Sequence, residues 1–410
     1  MSARPQSQVV IVGAGAAGDA AAMALRQNGF DGRVRLIGAD RHRPYERPLL
    51  SKRYLRDEVP ADRVFLHPAE KYEQQRIELL TGHTVVAARA RERTVRLDDD
   101  RDIHFDTLIL APGATPRWPP EVPRASNVFT LRTLDDSAAI KWALEESQRM
   151  LLLGAGSIGA EVAASARLMG KDVLMVELGP VPLGRALGQE MGEIYARIHR
   201  SRGVDLRTNT SITRWLTAED RVIGVELSDG KQEDIEAALV AIGVGAEVGL
   251  AGDLGLELGL GGVLVDETLG AAPGIYCAGD IAAHFHPVFG RHMRVEHWQV
   301  AQKQGAACGA AVAGTPKPYE ELPWFWSDQY DLNLQYVGNA HEFDQVVWRG
   351  DAESEHFSVF YLKEGVIEAV LSVNDGRTGR LSRELIRRRL PVDARALTDV
   401  AGDLRELATA

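Results

Sequence analysis

The hydrophobic pattern runs through three regimes along the chain. Near the start, Val9 to Val12 is an unbroken apolar run that stops in glycines spaced G-x-G-x-x-G at Gly13, Gly15 and Gly18, after which small residues continue to Ala24. A short, wholly apolar run bounded by glycine predicts a strand buried on both faces. The small residues beyond it predict a helix packed close against that strand. A second strand, Val34 to Ile37, leads to Asp40. Charged, helix-compatible sequence runs to Arg76, and alternation then predicts strands from Thr84 to Ala88 and from Thr94 to Leu97. Another apolar strand ends in Ala111-Pro112-Gly113, and the Gly/Pro-rich break that follows marks a boundary between structural units.

Beyond the break the opening pattern returns. Met150 to Leu153 is apolar, Gly154, Gly156 and Gly159 repeat the glycine spacing, and Ala160 to Met169 predicts a small-residue helix. Val173 to Val176 predicts the next strand, ending at Glu177. A third near-match, Gly243 to Gly249, is followed by no small-residue helix and reads as a loop. Gly274 to Asp280 predicts a short strand, with Asp280 holding a ligand hydroxyl, capping a helix from Ile281 onward, or both. The third regime begins near Thr315. An aromatic run, Pro323 to Tyr330, precedes strand-like segments at 333–337, 345–348, 356–362 and 366–372, and an Arg-rich helix follows. That part reads as a mixed sheet without a glycine fingerprint.

Strand, glycine turn, helix and terminal acid, met in that order, are the parts of a dinucleotide site. Gly13 permits the tight turn, Gly15 lets backbone N–H groups approach a pyrophosphate, and Gly18 lets the helix sit against the strand. The acids Asp40 and Glu177 are placed to accept from a ribose. At Glu177 a carboxylate pairs with a free 2′-hydroxyl and repels a 2′-phosphate, which favours NAD(H) over NADP(H), although Arg185 nearby moderates the preference.

Composition narrows the rest. The 410 residues carry a formal charge of −11, which argues against a nucleic-acid partner. No apolar run is long enough to span a membrane, so a cytoplasmic protein is expected. The two cysteines, Cys277 and Cys308, form no C-x-x-C pair, which sets aside a disulfide relay. His284, His286, His292 and His297 do not follow a zinc-binding spacing, so no metal is expected.

Together the motifs RPLLSK (Arg47 to Lys52), LILAPGATPR (Leu108 to Arg117), GAGSIGAE (Gly154 to Glu161), GIYCAGD (Gly274 to Asp280) and PWFWSDQ (Pro323 to Gln329) resemble the two-dinucleotide-fold flavoproteins. Within them the likeness is to the oxygenase-coupled NADH–ferredoxin reductases. The resemblance implies an α/β chain with two Rossmann-like, glutathione-reductase-like domains and a C-terminal α+β interface domain. FAD would occupy residues 1–111 and 241–315, NAD(H) residues 112–240, and the interface domain residues 316–410. Implied FAD contacts are Gly13, Gly15, Ala16, Ala17, Gly18, Asp40, Arg47, Lys52, Val85, Ala111, Gly113, Arg132, Gly279, Asp280 and Trp298. Implied NAD(H) contacts are Gly154, Gly156, Ser157, Ile158, Gly159, Glu177 and Arg185.

Lys52 and Glu161 would pair beside the reacting rings, with Trp298 on the flavin's exposed side. Electrons would pass from NADH through FAD to a 2Fe-2S ferredoxin serving a haem-thiolate monooxygenase or a Rieske dioxygenase. The Arg-rich helix, with Arg377, Arg380, Arg383 and Arg387, is either a solvated face or the surface on which the ferredoxin docks. A rubredoxin reductase, an NADH oxidase, or a flavin redox sensor of the apoptosis-inducing-factor kind are the competing readings. The chain departs from the family at GVGAEVG, where relatives carry a proline-containing loop, and at Ala39-Asp40, where many have two acids.

Overall fold

The structure, a computed structural model, describes residues 7–407. The opening apolar run forms the strand Gln8–Val12 at the centre of a six-stranded sheet, flanked in parallel by Arg33–Gly38 and Thr107–Leu110. The sheet continues to Ile77–Thr81 on one side and to Ile275–Cys277 and Gly270–Ala272 on the other. Val9, Val10 and Ile11 are fully buried, as expected of a strand covered on both faces. The helix Ala16–Gln27 covers one face and packs along a second helix, Trp298–Val312. Small residues make that contact possible, since a Cβ at Gly305 would stand 2.0 Å from the Ala17 carbonyl oxygen. Returning 270–312 to the opening sheet therefore builds one unit from two distant stretches of chain.

The second fingerprint repeats the topology. Arg149–Leu153 lies between Asp172–Val176 and Ala237–Val240 in a parallel five-stranded sheet completed by Asp205–Arg207 and Val128–Phe129. The chain passes between the two sheets twice. Those passages, Ala114–Pro116 and Val244–Ala246, pair antiparallel. The near-match at Gly243 to Gly249 is thus not a free loop: it contains one of these strands, and the helix Gly249–Asp253 follows. A strand of three residues between glycines carries too little periodicity to be read locally.

The expected helix after Asp280 is also corrected. Ala282–His286 is a strand, pairing with Gly262–Val265 and Arg291–Arg294. Histidine occupies its inward positions, His284 and His286 both being fully buried, so its period-two pattern is written in residues usually counted as polar.

The C-terminal part is a sheet antiparallel at every pairing rather than the mixed sheet expected, in the order Trp324–Gln329, Leu332–Gly338, Val366–Val373, His356–Lys363, Gln345–Asp351. The helix Gly376–Arg388 packs on it through Leu385 and Ile386, with Asp375 accepting from the Thr378 amide at its start. Its arginines are more committed than their local charge suggests. Arg387 bonds the Glu320 carbonyl and faces Glu321, Arg388 pairs with Glu384, and Arg389 pairs with Glu368. Arg383 lies 5.7 Å over the Trp324 ring. Arg377 and Arg380 are exposed.

Candidate functional site

A cavity of about 390 Å³ opens where the first fingerprint, the start of the second-fingerprint helix and the C-terminal sheet meet. One end is built by the glycine turn. Gly13 has φ +108°, and a Cβ there would lie 1.9 Å from the Ala111 carbonyl oxygen, so only glycine lets these two strand ends cross. Gly15 faces open space instead. As the N-cap of Ala16–Gln27 it supplies no side-chain acceptor, which leaves the helix's first N–H groups available. Arg47 and Arg132 line the same cavity, and Arg132 Nη2 donates to Asp280 Oδ2 at 2.7 Å. Burial and the neighbouring Arg132 charge push the Arg47 guanidinium below its ordinary range. An open glycine cradle, an uncapped helix start and two cations fit a bound pyrophosphate, as FAD carries. The Gly279 turn before Asp280 is held by buried Gln304, whose Oε1 accepts from the Gly279 amide at 2.8 Å.

Asp40 also lines the cavity, accepting from the His42 amide at 2.9 Å and from the Tyr45 hydroxyl at 2.6 Å. Strand register separates it from Glu177. Val12 faces Ile37 and Leu153 faces Val176, so Gly38 is the positional counterpart of Glu177, and Asp40 stands two residues further on. The similar spacing of the two acids from their glycines does not make them equivalent.

At the other end Lys52 Nζ lies 2.9 Å from Glu161 Oε1, their side chains only 7% and 6% exposed. The carboxylate also accepts from Ser51 Oγ, and from Ser327 Oγ at 2.7 Å. Trp298, Phe325 and Trp326 wall this end, with Lys52 Nζ 5.8 Å over the Trp326 ring. Trp326 stacks on Trp324 at 5.1 Å between centroids. His297, against Phe325, also lines the cavity, and burial pushes its pKa down to about 4. Tyr45 and Ser51 had no role assigned from the sequence, and His297 was weighed there only as a metal ligand, because single polar residues carry no repeating pattern.

The cavity collects Gly13, Gly15, Ala16, Ala17, Asp40, Arg47, Lys52, Ala111, Gly113, Arg132, Ser157, Ile158, Glu161, Gly279, Asp280 and Trp298. Two expected contacts of the first site lie elsewhere. Gly18 packs under its strand, where a Cβ would meet the Gly13 carbonyl at 1.8 Å, and half-buried Val85 packs against the first core.

Of the second fingerprint, Ser157 and Ile158 reach the cavity, while Gly154, Gly156, Gly159, Glu177 and Arg185 are not on its walls. The turn itself matches the first: the Gly154 amide donates to Val176 O at 2.8 Å, as the Gly13 amide does to Ile37 O at 2.7 Å. Glu177 accepts from the Ala155 amide at 2.7 Å and the Gly179 amide at 2.8 Å, and so fastens its own loop. Arg185 is exposed on the short helix Gly184–Leu187. The cysteines stand apart from the cavity, both buried and free, and burial pushes Cys277 up to about 12.

Comparison with known proteins agrees with this arrangement. A family profile described as pyridine nucleotide-disulphide oxidoreductase matches residues 7–305, and one described as reductase C-terminal matches 324–408. The chain is 38% identical to the 5,5′-dehydrodivanillate O-demethylase ferredoxin reductase subunit of Sphingobium sp., with 99% of each chain covered. To the putidaredoxin reductase of Pseudomonas putida it is 34% identical over 98% of this chain and 97% of that one. Among solved structures, the covalent putidaredoxin reductase–putidaredoxin complex superposes with a TM-score of 0.95 at 33% identity, covering 99% of both chains. Two sheets built around parallel strands with matching glycine turns, one cavity between them and an appended antiparallel sheet thus place the chain in the pyridine nucleotide-disulphide oxidoreductase family, with a reductase C-terminal domain.

Proposed function

We propose that the protein is an FAD-dependent ferredoxin reductase that takes electrons from NADH and delivers them to a 2Fe-2S ferredoxin serving an oxygenase. One observation carries this reading above the rest: a single cavity touches the glycine turn of the first fingerprint, the first residues of the second-fingerprint helix and the aromatic edge of the C-terminal sheet, with no cysteine on its walls. FAD bound there supplies the conversion of a two-electron hydride donor into single-electron transfers.

The chain's own residues bind, orient and enclose. The Ala16 helix start with Arg47 and Arg132 would hold the pyrophosphate, and Asp280, kept in place by Arg132, would accept from a hydroxyl of the same ligand. Lys52 would place a positive charge beside the reacting ring, with Glu161 limiting the cost of burying it. Trp298, Phe325 and Trp326 would keep bulk water from that end. Glu177 would select NADH, its two backbone bonds holding the carboxylate at the strand end. A disulfide relay is disfavoured, because both thiols are buried and shifted away from thiolate formation.

The names of several relatives support the acceptor class. Among them is the anthranilate 1,2-dioxygenase system ferredoxin–NAD(+) reductase component of Burkholderia cepacia, 38% identical over 97% of this chain. A cytoplasmic site of action belongs to the same reading: among the described residues no helix is long and apolar enough to cross a membrane. Stopped-flow mixing with NADH, followed by mixing with a 2Fe-2S ferredoxin, tests the proposal. Rapid bleaching of the flavin band and its return on ferredoxin addition are expected; return only with oxygen would favour an oxidase instead.

A further inference from the structure

The carboxylate of Glu161 is the end of a buried chain of hydrogen bonds that starts outside the cavity. Tyr330 OH lies 3.0 Å from His199 Nδ1, and His199 Nε2 lies 3.0 Å from Gln329 Oε1. Gln329 Nε2 donates to Ser327 Oγ at 3.0 Å, and Ser327 Oγ donates to Glu161 Oε1 at 2.7 Å. His199, Ser327 and Gln329 are all buried, at 0%, 4% and 1% exposure.

The direction of this chain is set by chemistry. A carboxylate only accepts, so the single hydroxyl proton of Ser327 points to Glu161, and its oxygen is free to receive the Gln329 amide. Gln329 then presents its carbonyl to His199, which must carry its proton on Nε2 and accept at Nδ1 from Tyr330. Burial holds that ring neutral, pushing its pKa down to about 4. Every donor therefore points the same way. The links come from different parts of the molecule: His199 from the helix Gln189–Ser201, Ser327 and Gln329 from the strand Trp324–Gln329, and Glu161 from the helix Ser157–Leu168.

We propose that Ser327, Gln329 and His199 are positioning residues for the reductive half-reaction, through which the C-terminal sheet sets the orientation of Glu161 and hence how much of the Lys52 charge the cavity feels. Lys52 and Ser327 share the oxygen Oε1, while Ser51 holds Oε2. Removing the Ser327 bond returns to Oε1 the negative charge that the donated proton had drawn off, so Glu161 offsets the Lys52 ammonium more fully at the same 2.9 Å contact. A smaller positive charge on the wall makes electron gain by the bound flavin less favourable. The inference rests on the reading of the cavity as the flavin site.

The test compares the holoenzyme with Ser327→Ala, Gln329→Leu and Ser327→Thr, the last keeping the hydroxyl. Dithionite titration gives the flavin midpoint potential without NADH, and stopped-flow saturation separates the limiting reduction rate from the Kd for NADH. Ser327→Ala and Gln329→Leu should move the potential to more negative values and lower the limiting rate roughly tenfold, the size of one lost charge-assisted hydrogen bond, with Kd within about twofold. Ser327→Thr should restore both. Unchanged potentials and rates in Ser327→Ala and Gln329→Leu would overturn the proposal, as would an equal loss in Ser327→Thr. Should one variant lose its flavin, the other still decides. A wild-type enzyme that NADH does not reduce would instead overturn the functional reading, while the dithionite potentials would continue to judge the network.

Discussion

The ion pair Lys52–Glu161 gives the most searching prediction. At 2.9 Å, with side chains 7% and 6% exposed, its two charges are largely removed from water. Replacing Glu161 by Leu leaves the ammonium buried without a counter-charge and takes the acceptor from the Ser51 and Ser327 hydroxyls. Breaking such a pair from one side costs about 3–5 kcal/mol, because the remaining charge is unpaired. Removing both charges costs much less. Urea unfolding of the holoenzyme, followed by tryptophan fluorescence, should therefore show Glu161→Leu and Lys52→Met each strongly destabilised. The double variant should recover most of the loss, which requires a coupling larger than either single penalty of about 3–5 kcal/mol. Penalties that add to within about 0.5 kcal/mol would show that the two groups do not sense one another. NADH-dependent flavin reduction supplies a second arm. The double variant should regain stability yet remain slow, since the end of the cavity walled by Trp298, Phe325 and Trp326 has lost its lysine. Fast reduction by the recovered double variant would make the pair a structural clasp only and would remove Lys52 from the chemistry.

The buried histidines predict acid sensitivity. Burial lowers His199 to about 4 and His284 to about 3, below the ordinary 6.5 that each regains on unfolding. Between those values the unfolded chain binds more protons, so the stability that both contribute is complete above pH 6.5 and falls as pH drops toward 4, by about 1.4 kcal/mol per unit for each group. Urea midpoints at pH 7, 6 and 5 measure this, and His199→Gln should flatten part of the slope. Glu177→Gln should lower the ratio of kcat/KM for NADH over NADPH about tenfold, as loss of one charged hydrogen bond implies; an unchanged ratio would take Glu177 out of the selection. Reversing Arg377 and Arg380 to Glu should slow ferredoxin reduction and weaken its salt dependence without affecting reduction by NADH, and a salt response equal to wild type would move the docking surface elsewhere. Arg349, 8% exposed, donates to the carbonyls of Leu397, Asp399, Val400 and Gly402. Arg349→Met should expose the 397–402 segment to proteolysis under native conditions, and an unchanged digestion pattern would mean that Leu397 and Leu404 hold the segment without it.

How far the fold was legible follows from where its information is stored. Each dinucleotide unit is written locally, because the turn at Gly13 or Gly154 needs glycine for a reason confined to a few atoms, and the adjoining strand is apolar on both faces. The strand Ala282–His286 is the contrary case. Its inward residues are His284 and His286, one sharing a hydrogen bond with Gln304 and the other lying close to the Glu321 carbonyl, so its buried face is defined by partners distant in sequence. Val244–Ala246 is likewise a strand only because Ala114–Pro116 lies beside it.

The same distinction divides the site. The phosphate end needs backbone amides and small residues, and a fingerprint records that need directly. The reactive end needs a charge held at a given place, and residues from four segments hold it: Ser51 and Lys52, Glu161, His199, and Ser327 with Gln329. Lys52 and Glu161 could be named only through a resemblance, since neither spacing nor periodicity brings a lysine in a proline-rich loop to a glutamate on a distant helix. His199 gave no signal at all, being one polar residue near the end of an amphipathic helix. Asp40 and Glu177 show the cost of reading distance along the chain as distance in space: both follow their glycines at similar intervals, yet strand register sets them two residues apart. Backbone demands can be read in series along a sequence; a buried charge network is a property of surfaces brought together, and its members become recognisable only when each donor can be traced to its acceptor.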